Sequence, residues 1–159
     1  MLSKKLEDIR DILKIMKDLE ATIAELYRSC AELWVEDKEF WTKMEDSELK
    51  HAGNINEMIR LISKKPESYE IGHPFRSPAV QTFIAAVKSN IQRLNRREIT
   101  KDNILFIARD IEEALLESKY GQIIRTADSE FQSLIKEIVL ETTAHKDWLN
   151  EKITKQDLG

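Results

Sequence analysis

The chain has little of what breaks helices or staples small folds: among 159 residues there are four Gly, three Pro and one Cys. The lone Cys30 excludes an internal disulfide and makes a reducing compartment the natural setting. No Cys-x-x-Cys pair occurs, so this chain builds neither a zinc ribbon nor a rubredoxin-type iron site. No stretch approaches the ~20 apolar residues of a membrane-spanning helix. The first thirty residues are charged throughout and hold no apolar run suited to a signal peptide. A net charge of -4 leaves no basic surface fit to track a phosphate backbone, and the densest basic group, Arg93, Arg96 and Arg97, reads as a solvated helix end. These absences predict a soluble cytoplasmic protein with neither nucleic acid nor membrane as a partner.

What is present favours helices. Charged residues make up 34% and hydrophobic residues 42%, a balance that suits one helical domain with solvated outer faces. In the first segment Leu6, Ile9, Leu13, Met16, Glu20, Ile23, Tyr27, Cys30 and Trp34 recur at steps of three and four, the seam of a packed helix. A second seam runs through Trp41, Met44, Glu48, His51, Ile55, Met58 and Ile62. All three prolines fall in residues 64–78, which read as a connector. A short amphipathic helix follows from about Ala79 to Leu94. Thr100 is placed to cap a third long helix running to about Thr126, with Leu105, Ala108, Glu112 and Leu115 inward. Asp128 or Ser129 caps a fourth, with the seam Phe131, Leu134, Ile138, Glu141, His145 and Trp148. The expected architecture is a single all-α domain: a helical hairpin over 1–63, a crossover over 64–100 and a second hairpin over 101–155.

Charged side chains are almost never fully buried unless they are paired or bind a metal. Yet Glu20, Glu48, His51, Glu112, Glu141 and His145 all fall on inward faces, spread over four helices. Two residues of an antiparallel hairpin share a height when they are equidistant from its turn. Glu20 with Glu48 or His51 points to a turn near the Glu-Asp-Lys run at 36–38, within about one helical turn of ~5.4 Å. Glu112 with Glu141 or His145 points to the expected turn at Thr126 to Ser129. The halves also echo each other. Glu20 and Glu112 are separated by 92 positions, as are Glu25 and Glu117, while 94 separate His51 from His145. Glu-x-x-His by itself is a common surface pattern; register, height and repeat together turn Glu48 and His51 into part of a site. Carboxylates and imidazoles suit iron, zinc, copper or nickel, and carboxylates can bridge two ions. Of the neighbours Glu112 and Glu113, the repeat selects Glu112. His73 reads as a solvated loop histidine. Trp34, Trp41 and Trp148 read as core or interface bulk, and Cys30 as a small buried hydrophobe. Tyr27 is placed either to pack in the core or to hydrogen-bond a carboxylate of the site.

These residues resemble the ferritin-like di-iron carboxylate proteins, specifically their rubrerythrin-like branch. That family places one Glu on each of two helices and a Glu-x-x-His on each of the other two. Leu19-Glu20 through Glu25-Leu26-Tyr27 is similar to the first-helix motif, Glu48-Leu-Lys-His51 to the second, and Ile111-Glu112 through Glu117 to the third. The fourth helix departs from the pattern: Thr142 stands three before His145, and Glu141 four before it. Leu115 stands where rubrerythrins add a further Glu, and a rubredoxin domain is absent. The resemblance implies a ferritin-like four-helix bundle holding two iron ions, or other divalent metals such as Mn or Zn. Glu20 and Glu112 would be ligands, Glu48 and Glu141 would bridge, and His51 and His145 would cap each ion. It further implies peroxide or oxygen as oxidant, an external electron donor such as a rubredoxin or reductase, and a homodimer. Three functions stay open: a di-iron oxidoreductase, an iron-binding ferroxidase or storage accessory, and a non-catalytic interaction bundle with a degraded site.

Overall fold

A computed structural model describes residues 2–73 and 75–158; Met1, Pro74 and Gly159 lie outside it. The fold is all-α, with five helices among the described residues and one small two-stranded sheet. Helix α1 (Leu2–Leu33) turns through a single 3-10 turn, Val35–Asp37, into α2 (Lys38–Lys64). After the connector come α3 (Ser77–Asn95), α4 (Lys101–Glu117) and α5 (Ser129–Leu158). Helix α1 packs along α2, α4 along α5, α2 against α5, and α3 against α1. The hairpin turn therefore falls where the heights of Glu20, Glu48 and His51 require it. Among the described residues no helix is long and apolar enough to cross a membrane.

The seams of α1 and α2 are inward as their periodicity demands. Ile9, Leu13, Met16, Glu20, Ile23, Tyr27 and Cys30 are buried, and so is every seam residue of α2 from Trp41 to Ile62. Trp41 is covered within the chain, while Trp34 and Trp148 pack half-buried against the same core. Thr100 caps α4, its hydroxyl accepting from the Asn103 amide at 3.1 Å. Asp128 accepts from the Glu130 amide at 3.1 Å at the start of α5.

Three elements differ from the periodic reading. The crossover helix is not short: α3 spans 19 residues, two more than α4. Its Val87, Ile91 and Leu94 bury against α1, which supplies the packing that holds a helix this long together. Helix α4 ends at Glu117, nine residues before Thr126, because Lys119 adopts the left-handed conformation at φ 55 and stops it. The chain then forms strand β2 (Ile124–Thr126), antiparallel to β1 (Tyr69–Ile71), pairing Tyr69 with Thr126 and Ile71 with Ile124. This small sheet ties the proline-rich connector to the α4–α5 loop. Tyr69 is buried there against Phe131, with ring centroids 5.3 Å apart, and its hydroxyl donates to Asp128. Gly72 is required beside it, since a Cβ would come within 2.9 Å of the Gln122 carbonyl oxygen.

The third difference lies on α5, whose inward residues are Phe131, Ile138, Thr142, His145, Leu149 and Ile153. Leu134, Glu141 and Trp148 flank that stripe, half-buried. Alternating steps of three and four follow a period of 3.5, whereas a straight helix has 3.6 residues per turn and drifts ~20° per heptad from that pattern. Counted from Phe131 at 3.6, the inward positions fall on 142, 149 and 153.

Candidate metal centre

The apolar interior is divided in two. One cluster gathers Ile9, Leu13, Met16, Ile55, Met58, Phe131 and Ile138; the other gathers Leu26, Tyr27, Trp41, Met44, Leu105, Leu149 and Ile153. Between them, along α1, α2 and α5, the seam turns polar. Glu20 from α1, Glu48 and His51 from α2, Glu112 from α4 and His145 from α5 are each no more than 1% exposed.

Five of the six expected residues meet in two trios, Glu20–Glu48–His51 and Glu48–Glu112–His145. Within each trio the offered oxygen and nitrogen atoms all lie within 4.8 Å of one another. Glu48 belongs to both. Its Oε2 is 3.5 Å from His51 Nδ1, and its Oε1 is 3.0 Å from His145 Nδ1. Glu20 Oε2 stands 3.7 Å from His51 Nδ1, and Glu112 Oε1 3.3 Å from His145 Nδ1. The imidazole rings lie 5.8 Å apart, inclined by 22°. Despite these distances, both Nδ1 atoms, both Glu48 oxygens and Glu112 Oε2 are buried without a properly directed hydrogen bond. Buried polar atoms in native proteins are nearly always satisfied, so several converging on one space call for something between them.

Each imidazole presents Nδ1 to the carboxylates and is held through Nε2 from behind. Glu141 Oε1 lies 3.0 Å from His51 Nε2, and Ser47 Oγ 2.8 Å from His145 Nε2. Glu141 thus enters neither trio. It is about one-third exposed and also faces Lys50 Nζ at 3.5 Å. The two halves are related by the spacing of the histidines. The 94 positions that separate His51 from His145 also separate Ser47 from Glu141 and Glu48 from Thr142. Glu141 is therefore the counterpart of Ser47, a support for the opposite histidine. The counterpart of Glu48 is Thr142, whose hydroxyl donates to its own helix at Ile138 O, 2.7 Å away. Sequence reasoning missed Ser47; the signal was available, because it stands four before His51 as Glu141 stands four before His145.

Further contacts hold the set in place. Tyr27, fully buried, donates to Glu112 Oε1 at 2.7 Å, so it both packs and positions. Glu113 turns outward to Lys146 at 3.2 Å, leaving Glu112 inside as the repeat requires. Cys30 is buried in the neighbouring core, where burial pushes its thiol well up, and it belongs to neither trio. His73 sits in the connector, its amide donating to Gln122 O.

The electrostatics are those of negative charge crowded in a dry place. Burial, then the charges of Glu20 and Glu112, hold the Glu48 carboxyl well above its usual range. Burial alone would lower the histidines, but their carboxylate neighbours outweigh it. Glu20 and Glu48 push His51 up to about 11, and Glu112 and Glu48 push His145 up to about 9. Burial and Glu112 raise Tyr27 well above its ordinary value. A cluster that must hold extra protons to stay neutral can exchange them for divalent cations. Hard carboxylate oxygens and imidazole nitrogens, with no thiolate among them, suit iron, manganese or zinc. A buried Glu/His group that can hold a metal ion is what the fold provides.

The chain matches no family model, no curated protein and no solved structure.

Proposed function

We propose that this chain is a ferritin-like four-helix bundle protein of the rubrerythrin type, holding two iron ions between α1, α2, α4 and α5 for redox chemistry with peroxide or oxygen. The observation that carries this reading is Glu48. It is fully buried and shared by two trios, each completed by one Glu and one His with their donor atoms turned to a common space. In this reading Glu20, Glu48 and His51 would hold one ion and Glu48, Glu112 and His145 the other, with Glu48 common to both. Glu141 and Ser47 fix the two rings so that Nδ1 faces inward, the support from behind that metal-bound histidines commonly receive. Tyr27 fixes Glu112. The apolar clusters on either side limit water and keep the dielectric low. Bound iron would supply electrons to an O–O bond, which none of these side chains can do. With Cys30 as its only thiol, the chain cannot build a four-cysteine relay centre, so electrons must come from outside, from a rubredoxin or a reductase.

Thr142 favours a second reading. With a hydroxyl where Glu48 has its carboxylate, the site offers five inward side chains rather than six, enough to bind and oxidise iron without sustained peroxide turnover. Elemental analysis of protein purified from iron-replete cells, followed by peroxide titration of the reduced iron form, separates the cases. Two irons per chain and turnover restored by a reductase support the oxidoreductase. Two irons without turnover support the iron-handling protein. Absence of any bound transition metal rejects both.

A further inference from the structure

A cavity of about 390 Å³ opens where α4 and α5 meet the segment that joins them. Its lining includes the buried Glu20 and Thr142, so its inner end reaches the polar layer on the side where α5 lacks a fourth carboxylate. Leu115, Ile135, Ile138 and Val139 make its walls apolar. Its outer end carries Lys119 and Lys136, both exposed, and neither forms an ion pair with a described residue. Lys119 is also the residue held in the left-handed conformation at φ 55. One position past a helix C-cap, here Ser118, that conformation is glycine's by default, and a side chain there costs the fold stability. A positive charge at the C-terminal end of α4 recovers part of that cost. Lys136, inside α5, has no such role.

We propose that this cavity binds a small apolar monocarboxylate, its carboxylate between Lys119 and Lys136 and its hydrocarbon chain along Leu115, Ile135, Ile138 and Val139. Two ammonium groups at the mouth of a hole with largely apolar walls select an amphipathic anion over a neutral molecule or a cation. At ~30 Å³ for each water-sized group, the volume holds about a dozen non-hydrogen atoms, which a saturated acid of about ten carbons supplies. The proposal rests on the metal-centre reading only for what the bound molecule is brought to; binding itself needs no metal.

The test is calorimetric titration of decanoate into the full chain, metal-free and zinc-loaded, with zinc content measured on the same samples. One decanoate per chain is expected, with decanol binding several-fold more weakly. Lys119→Gly and Lys136→Gln should each weaken decanoate about threefold to fivefold, the range of a partly exposed ion pair. Lys119→Gly should at the same time raise the melting temperature, because it relieves the backbone. Gly121→Val places methyl groups toward Val139 and Ile135, 3.5 and 3.9 Å from the position of its Cβ, and should abolish binding while the circular dichroism stays helical. Failure of decanoate to bind the wild-type chain, equal binding of decanol, or unchanged affinity in both lysine variants overturns the proposal. Zinc uptake without decanoate binding overturns it alone. Decanoate binding without zinc uptake supports it while removing the metal reading.

Discussion

Replacing Glu48 by Gln keeps the shape of the side chain and removes the charge shared by both trios. In the metal-free protein the ionised carboxylate faces two like charges with oxygens no more than 4.8 Å away, each repelling by at least about 3.5 kcal/mol at an effective dielectric of ~20. Against this stand two protonated imidazoles at 3.5 and 3.0 Å, each attracting by about 5 kcal/mol on the same scale. The attractions win by about 3 kcal/mol, but burial of a carboxylate costs several kcal/mol, which more than cancels that margin. The upward displacement of the Glu48 carboxyl has the same sign. Glu48→Gln should therefore stabilise the metal-free protein by about 1–2 kcal/mol near pH 8, a rise of about 4 °C in melting temperature for a chain of this size. The same change should cut metal binding from two ions per chain to one or none. Chemical denaturation with chelator and elemental analysis after loading read the two effects separately. If Glu48 instead held a purely structural network, its replacement would cost about 3–5 kcal/mol. That loss, with metal content unchanged, would refute the reasoning.

Stability without metal should fall as pH rises from about 6.5. The protons on His145 and His51 stabilise fully below 6.5 and are lost through about 9 and about 11 respectively, while the raised Glu48 carboxyl adds an ionisation penalty above its ordinary value. Metal-loaded protein should lack this decline, and parallel melting curves for the two forms from pH 6 to 10 would contradict it. Glu141→Ala should lower affinity at the His51 position by about 10–100-fold by freeing the ring, whereas Thr142→Ala should leave metal content unchanged; equilibrium dialysis against zinc reads both. Tyr27→Phe should cost about 1.5–3 kcal/mol in chemical denaturation, because Glu112 Oε1 loses its buried charge-assisted hydrogen bond. The reduced iron-loaded protein should consume about one equivalent of peroxide and stop until a rubredoxin or reductase is added, since one thiol cannot make a relay centre. Sustained turnover with a nicotinamide cofactor as sole reductant would refute that expectation.

The helices of the first half were legible because their seams are long and dense in large apolar residues, so a misplaced step is corrected by the next. On α1 and α2 even the polar interruptions could be placed, and Glu20, Glu48 and His51 lie inward at one height. Helix α5 was harder to read. Its first half sets Ile135, Val139 and Leu140 beside Phe131, Leu134 and Ile138, so apolar residues spread over more than one face and a period of 3.5 fits the letters nearly as well as 3.6. The difference, small over one turn, rotates Glu141 off the interior and Thr142 into it.

The sequence by itself determined that the chain is helical, that it folds back at Val35–Asp37, and that carboxylates and histidines from four helices must share an interior. Periodicity and burial cost are local quantities, written in the spacing of residue types. Only the tertiary structure decided which nitrogen of each histidine faces the carboxylates, that Ser47 and Glu141 stand behind the rings, and that Glu48 alone is common to both trios. It also decided that α4 stops at Glu117 so that Ile124 can pair with Ile71, which opens the cavity beside Thr142. Those outcomes depend on the rotation of one helix about its axis relative to another. That angle is set by packing across the core; the matched spacing of Ser47 and Glu141 before the two histidines shows that they correspond but not what either one faces.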